Sequence, residues 1–172
     1  MLSNKNLNLN GVGLDIGCSF GSSTFELSKK LTYVFGVDLS FSFILEARKI
    51  MHDKKIRNVE FIVADAINLP FESKFFQSII ALNIVDRVDL YTLISSVNSC
   101  IKNHGKLILI DPYHFVNNNG NDKLDSIQIR KIVEKFGYKI NNKESYIPWI
   151  MKINERSYLF YFVDFIEARK ND

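Results

Sequence analysis

"VGLDIGCSFGSSTFELS", Val12 to Ser28, decides how the rest of the chain is read. Its first five residues form a short apolar run closed by Gly17, the pattern of a parallel strand buried on both faces. A glycine-rich turn follows. Phe25, Leu27 and Leu31, with Ser23 and Glu26 at capping-box spacing, then predict a helix starting near Gly21 or Ser22. Strand, tight turn and helix open a β-α unit, and that turn is where the backbone comes closest to a ligand. Gly11 and Gly13 read as spacers, whereas Gly17 and Gly21 lack the Cβ that would block a close approach.

The unit repeats along the chain. Tyr33 to Ser40 reads as a second strand ending at Asp38, and Ser40 can cap a helix with Phe43, Ile44, Ala47, Ile50 and Met51 on one side. Val59 to Ala66 and Phe75 to Ile84 read as strands three and four. Leu90, Leu93, Ile94, Val97 and Ile101 have helical spacing, and Gly105 to Tyr113 reads as strand five. An Asn-rich loop, Asn117 to Asn121, leads to a helix carrying Ile129, Ile132, Val133 and Phe136, ended by Gly137. From Tyr138 helix signals cease: "YKI" to "SYIPWI" reads as one extended segment, and Arg156 to Lys170 as a long aromatic strand making a hairpin with it. The predicted fold is α/β, a doubly wound three-layer sandwich. Its seven-stranded, mostly parallel sheet ends in an antiparallel C-terminal hairpin.

Composition agrees with one domain over residues 1–172, with 1–11 as a polar tail. The chain is 47% hydrophobic and 24% charged, a globular balance, and a net charge of +3 spread along it does not form a nucleic-acid patch. Cys18 and Cys100 are too few for a disulfide framework or a four-ligand zinc site. His52 and His104 lack partners at metal-ligand spacing, so no metal is expected. No signal peptide or long apolar span is read, and the expected location is a reducing cytoplasm, with no membrane contact.

Ligands of such sheets bind outside the carboxyl ends of the strands, where Asp15 to Gly21, Asp38, Asp65, Asn83 to Arg87 and Asp111 to His114 fall. Asp38 can accept both hydroxyls of a ribose, and Asp65, followed by Ala66, can reach an adenine amino group. Each acid taken alone also reads as a helix cap or turn former. A dinucleotide fingerprint is absent: starting at Gly11 it needs glycine at Ile16, and starting at Gly17 it needs glycine at Ser19 and Ser22. Cys18, Ser19 and Phe20 put side chains where a diphosphate would approach, so a ligand without phosphates fits better than NAD.

"LDIGCSFGSS" resembles the first motif of class I S-adenosylmethionine-dependent methyltransferases, with Asp15, Gly17 and Gly21 matching and Ser19 in place of the middle glycine. "VFGVDLS", "VADAINLPF" and "FQSIIALNIVDRV" resemble the second to fourth motifs, and the likeness runs from Val12 to Ile166. It implies S-adenosylmethionine as cofactor. Asp15, Gly17, Cys18, Ser19, Gly21 and Asn83 would lie at its methionine part, Asp38 at the ribose and Asp65 with Ala66 at the adenine, with Leu39 a further cofactor contact. "LNIVDRV" and "IDPYHF" are similar to small-molecule methyltransferases of ovothiol-type pathways, which favours a small acceptor.

Methyl transfer is an in-line displacement that positioning can largely account for, and no catalytic residue is assigned. Asp86, Arg87, Asp111, Tyr113 and His114 are the acceptor candidates: Arg87 can clamp a carboxylate, and Asp111 or His114 can take a proton. Each also has a structural reading, as a helix start, an ion pair or a turn. Without added helices as a lid the pocket reads as open, to be covered by the Asn-rich loop, by a homodimer mate or partner subunit, or by a macromolecular acceptor. A non-catalytic cofactor-binding subunit and an NAD-dependent oxidoreductase are the alternative functions.

Overall fold

The computed structural model describes residues 7–112, 124–142 and 146–172. Eight strands and four helices follow in the order β1 (Val12–Ile16), α1 (Ser22–Ser28), β2 (Tyr33–Asp38), α2 (Phe41–Asp53), β3 (Val59–Val63), β4 (Phe76–Leu82), α3 (Leu90–Cys100), β5 (Ile101–Asp111), α4 (Ser126–Lys135), β6 (Tyr138–Ile140), β7 (Tyr146–Lys152) and β8 (Tyr158–Lys170). They form one sheet in the order β3-β2-β1-β4-β5-β8-β6, with β7 also paired to β8. Strands β1 to β5 are mutually parallel, and β8 runs antiparallel to β5, β6 and β7.

The parallel strands are apolar along their length because helices cover both faces. Leu14 and Ile16 of β1 join Leu93, Ile94, Ile129 and Val133 of α3 and α4 in one buried cluster. Ile80 and Ile108 join Phe25 and Leu27 of α1 and Ile44 and Ala47 of α2 in another. This is the doubly wound, three-layer α/β arrangement that the strand and helix alternation predicts. None of the helices among the described residues is long and apolar enough to cross a membrane.

The sheet departs from the sequence reading in its strand count, eight in place of seven. The Tyr138 to Ile150 segment is two strands, β6 and β7, on the same edge of β8. Between them Asn142 replaces backbone with side chain: its Nδ2 donates to Phe165 O at 2.6 Å and its Oδ1 accepts from Glu167 N at 2.7 Å. Strand β5 begins at Ile101, directly at the end of α3, and a register break opposite β4 absorbs the extra residues before Lys106.

Caps also differ. Ser40 accepts from Phe43 N and starts α2 as expected. At α1 the N-cap is Gly21, with φ +83° and no side-chain cap; Ser23 donates elsewhere, and the expected Ser23–Glu26 capping box does not form. A full capping box occurs instead at α4, between Asp125 and Gln128.

Candidate functional site

Strand order reverses between β1 and β4, and the crevice outside their carboxyl ends holds two adjoining clefts. The first, of about 290 Å³, is lined by Gly17, Asp38, Leu39, Asp65, Ala66, Asn83, Arg87 and four apolar side chains, among them Ile84 and Val88, with Ala64. The second, of about 560 Å³, is lined by the Gly17–Phe20 turn, Ser22, Ser23, Phe43, Leu82, Asn83, Arg87 and Trp149. Gly17, Asn83 and Arg87 belong to both.

Backbone geometry shapes the turn between β1 and α1. Gly17 and Cys18 both donate their amides to Val37 O, at 2.9 and 3.0 Å, tying the turn to β2. Ser19, in place of the family motif's middle glycine, takes φ +49°, a left-handed conformation that glycine adopts more readily. That aims its amide at Asp38, whose Oδ2 accepts from Ser19 N at 2.9 Å while Oδ1 accepts from Ser40 N at 2.9 Å. The Asp38 carboxylate is thereby fixed at the cleft wall. Asn83 has φ +52°, and its side-chain Oδ1 is buried without a hydrogen-bond partner among the described residues. Asp65 folds back on its own loop, with Oδ1 accepting from Ile67 N at 3.1 Å.

Asp15, expected to face a ligand, lies beneath the turn and lines neither cleft. It is fully buried, and its Oδ2 accepts from Ser23 Oγ and Thr24 Oγ1, both at 2.6 Å. Burial raises its pKa to about 6, against the opposing pull of the two hydroxyls, with a smaller upward push from Asp38. The carboxylate claims Ser23 because a desolvated acid gains more from a hydroxyl than an exposed helix end does. The Cys18 thiol is likewise pushed up, first by burial and then by Asp15 and Asp38, and stays neutral. Gly21 lies at the helix start behind the turn, where a Cβ would sit 2.5 Å from Phe61 Cζ.

The acceptor candidates separate. Arg87 is at the clefts, its side chain 68% exposed, with Nε 3.3 Å from Asp86 Oδ1; Asp86 itself is nearly buried and lines neither cleft. Asp111, expected at the rim, is fully buried and accepts Val85 N through Oδ2 at 2.9 Å, bracing the loop after β4. Tyr113, His114 and the Asn117 to Asn121 loop lie outside the described residues. Phe43, grouped above with Ile44, Ala47, Ile50 and Met51 on one side of α2, turns out to the second cleft, its ring centroid 4.5 Å from that of Phe20. No group of three His, Cys, Asp or Glu that could hold a metal occurs among the described residues.

A methyltransferase-domain family model matches residues 14–105, which carry β1 through the start of β5 and most of both cleft linings. The chain belongs to that methyltransferase family. Over 152 residues it is 27% identical to the uncharacterized protein MJ0638 of Methanocaldococcus jannaschii, covering 82% of this chain and 61% of that protein. Over 105 residues it is 28% identical to a demethylmenaquinone methyltransferase of Lactococcus lactis, covering 59% of this chain and 42% of that one. This methyltransferase domain thus spans less than two thirds of the length of either relative. Its fold matches the crystal structure of an S-adenosylmethionine-dependent methyltransferase from Aquifex aeolicus with a TM-score of 0.69 at 16% identity, over 92% of this chain and 81% of that one.

Proposed function

We propose that this chain is one methyltransferase domain that binds S-adenosylmethionine in the first cleft and methylates a small molecule presented from the second. The observation that carries the reading is the Asp38 carboxylate, held at the switch point by two backbone amides, from Ser19 and Ser40. Each of its oxygens accepts one amide and keeps capacity for another donor, which suits a ribose diol. The lining fits the cofactor in two further ways. Ala66 and Leu39 offer apolar surface beside Asp65 for an adenine, and the unpartnered Asn83 Oδ1 can accept from an ammonium group.

Bound there, the cofactor would supply a sulfonium methyl group for in-line transfer to an acceptor lone pair, the carbon–sulfur electron pair remaining on sulfur. The protein's part is placement. Gly17 lets the backbone approach closely, Asp38 fixes the ribose end, and Asn83 sets the boundary between the clefts. Asp15 and Asp111 act from beneath, one holding the start of α1 and the other the loop after β4.

The test is incubation of the protein with methyl-labelled S-adenosylmethionine and cell extract, followed by fractionation. Label in small molecules supports the reading; label in protein or RNA moves the acceptor to a macromolecule. Binding of S-adenosylhomocysteine with no label in any fraction favours a cofactor-binding accessory subunit.

A further inference from the structure

The two clefts differ in chemistry. Asp38 and Asp65 line the first, whereas the second presents Phe20, Phe43, Leu82 and Trp149 with Arg87 as the charged side chain among its described lining. Phe20 is 45% exposed and Phe43 36%, so two touching aromatic rings face water inside a concavity. The Trp149 ring lies 12° from parallel to Tyr161, which sets it as a wall of the same cleft. The carboxylates of the turn and of the end of β2 already take donors: Asp15 the hydroxyls of Ser23 and Thr24, and Asp38 the amides of Ser19 and Ser40. Asp86 engages Arg87 through Nε, and a guanidinium carries further donors on its two terminal nitrogens.

We infer that the second cleft is an acceptor subsite for a flat apolar or aromatic molecule bearing one anionic group, received by Arg87 while the ring system lies against Phe20, Phe43 and Trp149. The inference rests on the methyl-transfer reading for its role but on the cleft's own chemistry for its ligand. A cationic acceptor would meet a guanidinium and, among the described residues lining this cleft, no carboxylate. A nucleic acid would need several phosphate contacts, where the described lining offers one cation. Ring-on-ring contact gains beyond simple area burial, and a guanidinium favours planar anions such as carboxylates. Continuity through Gly17, Asn83 and Arg87 brings such a molecule to the mouth of the first cleft.

Trp149 is the chain's one tryptophan and reports on this cleft directly. The test titrates the full chain with 2-naphthoate, with neutral 2-naphthalenemethanol and with cationic 2-naphthylmethylamine, following Trp149 fluorescence. S-adenosylhomocysteine binding is measured in parallel by calorimetry. The expected result is saturable binding of naphthoate, with the alcohol weaker by about tenfold and the amine weaker still. Arg87→Met should abolish the preference for naphthoate over the alcohol. Phe43→Ala should weaken all three probes while its retained affinity for S-adenosylhomocysteine shows that it is folded. Equal affinity for the three probes, displacement of naphthoate by S-adenosylhomocysteine, or an unchanged preference in Arg87→Met would overturn the inference. If naphthoate behaves as expected while S-adenosylhomocysteine does not bind, the cofactor reading fails and the aromatic anion subsite stands. If only S-adenosylhomocysteine binds, the subsite fails alone.

Discussion

Ser19 and Asp38 are joined by a hydrogen bond across nineteen residues of chain, from the Ser19 amide to Asp38 Oδ2 at 2.9 Å. The bond locks the turn after β1 to the end of β2 and orients the carboxylate before any ligand arrives. Removing the acid would remove the lock and, with it, the ribose contact proposed above. Asp38→Ala is expected to weaken S-adenosylhomocysteine binding by about 1–3 kcal/mol, as measured by calorimetry, since two ribose hydroxyls would be left unpaired. An unchanged affinity would refute the ribose assignment.

Asp15 makes stability depend on pH. Its folded pKa of about 6 lies above the ordinary 3.8 because burial penalises the charged form. The protonated acid therefore belongs to the folded state, and its contribution is complete below about pH 4 and lost as pH rises through about 6. The difference of about two units corresponds to roughly 3 kcal/mol. Asp15→Asn keeps an oxygen for Ser23 and Thr24 and has no charge to desolvate. Its melting temperature should exceed that of the parent at pH 8 and match it at pH 4; a lower value at pH 8 would show that the charged form is the one the fold favours.

Gly21 is required twice over, by φ +83° and by Phe61 Cζ at 2.5 Å from where a Cβ would stand. Gly21→Ala must strain the backbone and displace a buried ring. A loss of at least about 2 kcal/mol in urea unfolding is expected. A loss below 0.5 kcal/mol, the range of ordinary surface changes, would mean that the turn relaxes freely.

Arg130 and Asp164 form an ion pair at 2.6 Å, with side chains 12% and 0% exposed, and Ser126 Oγ donates to the other Asp164 oxygen at 2.6 Å. The pair fastens the start of α4 to β8. Arg130→Met leaves a buried carboxylate without its counter-charge and should cost about 3–5 kcal/mol in chemical denaturation. Asp164→Asn in the same background should recover part of that loss; no recovery would place the cost in lost packing.

Both cysteines should resist alkylation in the folded state. Burial raises the Cys100 thiol to about 11 and pushes Cys18 higher still. Iodoacetamide at pH 8 should modify them only as the chain unfolds, and rapid labelling of Cys18 in native protein, read by mass spectrometry, would contradict its burial.

The alternation of strands and helices was legible because parallel strands covered on both faces leave continuous apolar runs, as in Leu107 to Ile110. The position of Asp38, Asp65 and Asn83 in the first cleft's lining was legible because strand ends next to a glycine turn border the crevice of such sheets. Orientation was harder to read. Leu14 and Ile16 face one cluster, so strand parity turns Asp15 to the other side, toward α1, where Ser23 and Thr24 supply hydroxyls. That parity was the available signal for its structural role. Asp111 likewise depends on a contact with Val85 that no local pattern encodes. Phe43 fits a buried helical stripe by spacing, and only its position over the turn brings it to Phe20. The break between β6 and β7 turns on the Asn142 side chain pairing with backbone groups of β8, a nonlocal contact that a segment read as extended does not announce.

Strand β8 has a consequence for how the chain reaches this state. It pairs on one edge with β5, through Lys106 to Asp111, and on the other with β6 and β7, although it is made after all of them. Until residues 164–169 emerge during synthesis, the apolar Leu107 to Ile110 run of β5 has one open edge, a site for mispairing. Assembly therefore cannot close progressively from the N-terminus. It waits for a long-range pairing at the end, which slows folding and makes the chain depend on protection of that edge in the interval.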